Sequence, residues 1–468
     1  MSVAGILRRR GKLEVDMTEG SIWKHLIRFA FPLLLGNLFQ QLYNTVDTFV
    51  VGNFVSNAAY SAVGTVGPII NTLIGFFSGL ATGAGVVISQ FFGAGDRRSV
   101  SRAVHTSLVL TLIMGVLFTA VGIIASPTML GFMKTPDSVM PEAITYLTIY
   151  FSGVIGLMIY NMGAGILRAV GDSTRPFIFL VVSAVINTVL DLVFVLAFDM
   201  GVAGVAYATV IAQGVSAILV VIALMRADSD IKVKITSLGL DFSILKKIVK
   251  IGIPAALQMA VTSFSNIFVQ SYINYFGEDC MSGWTSYSKI DQFLLLPMTS
   301  ISLASTTFVG QNLGRGRVER AKKGAATALI MSVSSVIILM IPVVAFAPEL
   351  VGFFNPKAEV VEFGALFLRI ISPFYVLCCF NQLYAGVLRG AGDATAPMII
   401  MVGSYVLFRQ AYLFVVANFI SNTVIPIVMA YPAAWLVAAT VTFIYYKRAD
   451  LSKNAVTAKG EGLEPETE

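Results

Sequence analysis

Three carboxylates stand where carboxylates are expensive. Asp47, Asp191 and Asp291 fall well inside long apolar stretches. An ionisable group at bilayer depth costs at least ~2.5–3.5 kcal/mol on insertion scales, which makes each a functional candidate. Asp47 closes a polar series of Asn37, Gln40, Gln41, Asn44, Asp47 and Thr48, and Asp191 closes a second, Ser183, Asn187 and Asp191. Steps of three and four place each series on one helix face. At ~1.5 Å per residue, Asp47 lies about four residues from the outer end of its span, and Asp191 and Thr209 about seven from theirs. One site could gather all three. Two nearby carboxylates in low dielectric do not both stay charged easily, so one takes a proton near neutral pH. The amide and hydroxyl oxygens beside them suit Na⁺ equally well. Asn44 and Thr48 also fit a plain polar contact between helices, a task that needs no carboxylate.

The second half carries its own intramembrane charges, Lys289, Asp291, Arg369 and Arg409. Lys289 and Asp291 are two apart and do not face each other on one helix. Asp291 with Arg409, or with Lys289, is an expected buried pair; handling of substrate or cation is the alternative. Pro32, about 22 Å below Asp47 on the same helix, frees a carbonyl and is either a fixed kink or a hinge.

These residues need membrane-spanning elements to hold them. Of 468 residues, 56% are hydrophobic and only 12% charged, half the charge of an ordinary globular domain. Continuous apolar runs argue for helices rather than alternating barrel strands. Twelve spans follow, at roughly 26–51, 61–91, 103–126, 143–167, 176–198, 202–225, 248–276, 280–308, 324–346, 363–388, 395–419 and 424–446. The expected organisation is a tail (1–25), a first lobe (26–226), a linker (227–247), a second lobe (248–446) and a tail (447–468). The net charge of +6 sorts by loop rather than forming a nucleic-acid patch: Lys134 and Lys357 alone stand in outside loops, while the tails and inside loops hold the remaining bases outside the spans. That asymmetry predicts both termini in the cytoplasm. No cleavable signal is expected, and Cys280, Cys378 and Cys379 are expected to be packing residues.

The chain repeats at an offset of 221 residues. Gln90, Gly93 and Gly95 recur as Gln311, Gly314 and Gly316, and Pro127, Gly131 and Phe132 as Pro348, Gly352 and Phe353. "AGILRAVGDSTRP" (164–176) recurs as "AGVLRGAGDATAP" (385–397). Six spans per repeat, an even number, make the two copies parallel. In the shared LRxxGDxTxP block, Gly171 and Gly392 suit a left-handed helix end, and Asp172 and Asp393 suit a cap on the next helix. The block is thus a tight turn; a gate latch in which Arg168 and Arg389 change partners is the alternative.

These paired blocks, with a first span carrying Pro fifteen residues before Asp, resemble the MATE (multidrug and toxic compound extrusion) family over about residues 20–450. The resemblance implies an all-α polytopic membrane protein of twelve transmembrane helices, in two pseudo-symmetric six-helix bundles forming a V. It also implies efflux of lipophilic or cationic organic compounds in exchange for H⁺ or Na⁺. The family's first-lobe cation site corresponds here to Asp47, Asn187, Asp191 and Thr209. Its fourth-span Asn is replaced by Ala164, with Asn161 one turn earlier as the candidate substitute. Family members that bind Na⁺ in the second lobe carry acids on spans seven and ten. None stands at the centre of those spans here, so coupling is expected in the first lobe, with protons favoured.

No enzyme signature is present: His25 and His105 are the only histidines, and there is no Walker loop or H-E-x-x-H. No cofactor, no metal beyond Na⁺ and no nucleic acid are expected; small-molecule drugs, lipid, a monomeric state and the cytoplasmic membrane are. A lipid-linked oligosaccharide flippase of related fold would instead line its cavity with Lys289, Arg369 and Arg409. A receptor or scaffold would have no central cavity.

Overall fold

The computed structural model describes residues 14–455 except 56, 134, 228 and 229; within helices, the side chains of 44, 46–49, 52, 53, 57, 58, 60, 263 and 264 also lie outside the described residues. The first lobe holds α1 (Ile22–Phe54), α2 (Asn57–Gly93) and α3 (Arg97–Phe132). Next come a broken α4 (Met140–Ser152 and Val154–Ala169), α5 (Thr174–Leu192, ending in the π turn Val193–Ala197) and α6 (Gly201–Met225). The second lobe opens with α7 (Phe242–Asn274), α8 (Glu278–Gly314) and α9 (Val318–Ala345). Two helical pieces, Ala358–Ile371 and Tyr375–Gly390, make α10. α11 runs from Thr395–Met401 through π turns at Val402–Phe408 and Val416–Ile420, and α12 comprises Val424–Val428 and Ala430–Arg448.

Nine of the described helices, or ten with the bent α4 pair, are apolar and long enough to cross a bilayer on composition alone. The amide-rich α1 and α7 complete the twelve. Several breaks were not expected from the apolar runs. α4 bends by 48° at Gly153, where a Cβ would meet the Val210 side chain at 2.2 Å. α10 breaks at a 3₁₀ turn, Ser372–Phe374, that contains Pro373, whose missing N–H interrupts the helical ladder.

The repeat is visible in the turns. Asp172 Oδ1 accepts from Thr174 N (3.0 Å) and Arg175 N (3.1 Å), and Asp393 Oδ1 accepts from Ala396 N (3.1 Å). Each carboxylate satisfies helix-start amides. Gly171 and Gly392 take φ of +91° and +87°, as the turn requires. The expected capped turn is therefore present twice. Over each turn lies a tail of the chain: Val15 N donates to Val170 O (2.8 Å), and a Cβ on Gly392 would sit 2.9 Å from Asn454 O.

The lobes meet most closely at the end that carries both tails and the linker, here called the basic end. α2 crosses α7 where a Cβ on Gly79 or Gly83 would fall 2.4 or 2.5 Å from the backbone of Ala256 or Gly252. Such small residues let helix backbones touch. α1 joins both lobes. Its first half packs Leu26, Phe29, Ala30 and Leu33 against Ile301, Ala304 and Phe308 of α8, and α1 also packs along α5.

Candidate functional site

Between the lobes lies a cavity of about 850 Å³, lined from α1, α2 and α4–α6 on one side and α7, α8, α10 and α11 on the other. Its wall is rich in amides, among them Gln40, Asn71, Asn161, Gln213, Gln258 and Gln382. At the basic end it is shut. There Gln90 Nε2 donates to Gly390 O and Gln311 Nε2 to Ala169 O, each at 2.9 Å and each across the lobes. Met17 N donates to Gln311 Oε1 (3.0 Å), while Arg317 and Arg320 donate to the carbonyls of Thr18, Met17, Glu19 and Gly20. The N-terminal segment thus straps the seam from first lobe to second.

Two of the four expected coupling residues fall on one wall of the cavity. Asn187 and Thr209 both line the cavity, from α5 and α6. Asn187 is only 2% exposed, and neither atom of its amide has a hydrogen-bond partner among the described residues. Thr209 Oγ1 donates to Val205 O at 3.0 Å. Asp191, one turn beyond Asn187, is fully buried. Asp47 and Asn44 stand on α1, but their side chains lie outside the described residues. Asn161 lines the cavity, accepts from Ser78 at 3.5 Å and donates to Leu157 O at 2.9 Å; Ala164 is buried. Pro32 sits inside α1 on the cavity wall.

The second-lobe charges behave differently from expectation. Asp291 meets neither Arg409 nor Lys289 in an ion pair; it accepts a hydrogen bond from Tyr375, whose hydroxyl lies 3.3 Å from that of Tyr287. Arg409, 1% exposed, donates to Asn266 Oδ1 at 2.9 Å and lies 4.8 Å from the Tyr431 ring centre and 5.7 Å from that of Tyr405. Ring faces attract a cation, so tyrosines do here what a carboxylate was expected to do. Lys289 and Arg369 are exposed, Lys289 over the Phe354 ring at 5.6 Å. None of these four residues is among the cavity's lining. Cys280, Cys378 and Cys379 are free and buried, as packing residues are.

Arg168 and Arg389 were read as turn residues, and both face the cavity. Asp172 pairs instead with Arg175 at 3.0 Å. Burial pushes the Asp172 carboxyl up from its ordinary value, against the opposing pull of the Arg175 and Thr174 bonds. Gln213, Gln258, Gln382 and Asn71 were missed as lining residues. Each is an amide inside an apolar run, a signal present in the sequence but without a stripe around it.

A family profile described as MatE matches residues 32–193 and 254–415, one match per lobe. The chain belongs to the MATE family. This MATE transporter is 29% identical to the "Probable multidrug resistance protein YpnP" of Bacillus subtilis (strain 168), over 92% of this chain and 96% of that protein. It is 23% identical to a "FAD transporter" of Shewanella oneidensis, over 77% of this chain and 80% of the relative. A solved structure titled "Outward-facing conformation of a multidrug resistance MATE family transporter of the MOP superfamily" superposes with a TM-score of 0.87 at 24% identity, covering 93% of this chain and 97% of the other. The likeness establishes the twelve-helix MATE fold, and the transporter is a multi-pass membrane protein.

Proposed function

We propose that the chain is a secondary exporter of lipophilic organic compounds, organic cations among them, in exchange for H⁺ or Na⁺ entering through the first lobe. The observation that carries this reading is the wall where Asn187, its amide without a partner among the described residues, and Thr209 face the cavity, with Asp191 buried one turn beyond. Asp47, on the helix that packs along α5, supplies the second carboxylate. A protonation or Na⁺-binding event shifts the balance of inward- and outward-open states through its differential affinity for the two. The basic end is assigned to the cytoplasm from the Lys and Arg in its loops. On that assignment the cavity is closed toward the cytoplasm.

The test is transport of rhodamine 6G in proteoliposomes, with the proton and Na⁺ gradients imposed separately. Asp47→Asn and Asp191→Asn should each abolish gradient-driven export. Undiminished export by both variants would overturn the coupling assignment. The flippase alternative required Lys289, Arg369 and Arg409 at the cavity, and all three are absent from its described lining.

A further inference from the structure

Among the described lining residues of the cavity, the only charged side chains are Arg168 and Arg389. They are repeat equivalents, one from each lobe, standing in the last turns of α4 and α10. Neither has a carboxylate within ion-pair distance among the described residues. Arg389 Nη1 donates to Gln258 Oε1 at 3.1 Å, which leaves most of its donors open. The Tyr160 hydroxyl beside Arg168 donates its proton to Pro176 O at 3.0 Å and is not a formal counter-charge.

A helix C-terminus favours a cation by roughly 0.3–1 kcal/mol. Withdrawing a guanidinium from bulk water without a counter-charge costs several kcal/mol. The dipole alone therefore does not account for two such groups facing one cavity. Five N–H donors in a planar fork match an oxyanion, and Arg is the side chain whose geometry does so bidentately. The rest of the described cavity wall is largely amide and apolar, with Leu157, Leu180 and Met401 among its lining.

We propose that the closed end of the cavity is an oxyanion subsite, and that the preferred substrates are amphipathic molecules carrying a carboxylate or phosphate on a lipophilic body. This rests on the exporter reading and narrows it: a lipophilic cation that also bears an acid group should bind better than the same cation without one.

The test compares rhodamine 19, a xanthene cation with a free carboxylate, with its ethyl ester rhodamine 6G. Binding to the full chain in lipid nanodiscs is followed by fluorescence polarisation, with empty nanodiscs subtracted. The wild type should hold the acid at least tenfold more tightly than the ester. Arg168→Gln and Arg389→Gln should each weaken the acid about tenfold and the ester less than twofold, with Lys at either position intermediate. Retained ester binding certifies that a variant is folded. Decanoate and decyl phosphate should displace the acid, their ranking telling carboxylate from phosphate. Equal wild-type affinity for acid and ester, equal losses of both in the variants, or displacement by decyltrimethylammonium alone would overturn the subsite. If the acid is preferred but neither dye moves under a gradient, the exporter reading fails and the subsite stands.

Discussion

Gln90 and Gln311 clamp the basic end reciprocally: each donates its side-chain amide, at 2.9 Å, to the carbonyl closing the last turn of α10 or α4 in the opposite lobe. Both are essentially fully buried. Removing one amide strands a buried carbonyl, at about 1–3 kcal/mol. A clamp of that size contributes to holding this end of the cavity closed. Replacing both by Leu should raise maleimide labelling of a cysteine placed at Ser89 by tenfold or more, since 1.4 kcal/mol is a factor of ten. Labelling unchanged in the double variant would show that the clamp does not hold the seam.

The glycines beside the clamp make a sharper test of contact. A Cβ on Gly93 would fall 1.9 Å from Gln311 O, and one on Gly314 would fall 2.0 Å from Gln90 O. Neither neighbour is a flexible side chain. Gly95 and Gly316, two residues on, have open space around them but take φ of +71° and +80°. Ala at 95 or 316 should cost only about 1–2 kcal/mol of backbone strain. Ala at 93 or 314 should prevent the seam from closing, read as Ser89→Cys labelling that no longer depends on an imposed gradient.

Asn187 separates coupling from stability. Among the described residues the buried Asn187 amide has no partner, at a cost of about 1–3 kcal/mol, so Asn187→Leu should raise the melting temperature of the purified protein while reducing gradient-driven rhodamine 6G export. A lowered melting temperature would mean that the amide is satisfied in the resting protein.

Asp172 offers a pH test outside the membrane. Its carboxyl is raised in the folded protein, so the group's stabilising contribution is fully present below its unfolded value and lost as pH rises through its folded value. Asp172→Asn keeps a capping oxygen without the charge and should flatten stability across that window, upward from the ordinary carboxylate range. Asp172→Ala loses the cap and should destabilise by about 1 kcal/mol at every pH. Melting curves of the three proteins from acid to neutral pH check both.

The twelve spans, the parallel repeat and the capped turns were legible because they rest on local signals: apolar run length, an offset of 221 residues, and Gly-Asp at helix ends. The shared face of Asn187 and Asp191 on α5 was legible as well, since periodicity on one helix predicts a face; Thr209, on α6, followed only from counting depth and from the family resemblance. The second-lobe charges were not. Counting residues gives the depth of Asp291 and Arg409 but not which neighbour each helix turns toward. Their observed partners, Tyr375 and Tyr431, read in a sequence as apolar bulk. Arg168 and Arg389 were masked by their position, because a basic residue in the last turn of a helix already has an ordinary explanation.

The amide-rich lining has one more consequence. Rotating an Asn or Gln side chain half a turn exchanges an acceptor for two donors. A wall built from Gln40, Asn71, Gln213 and Gln382 can thus present either polarity to a guest without gaining or losing a proton. The polarity that the chamber offers a guest is for that reason insulated from the pH on either side of the membrane.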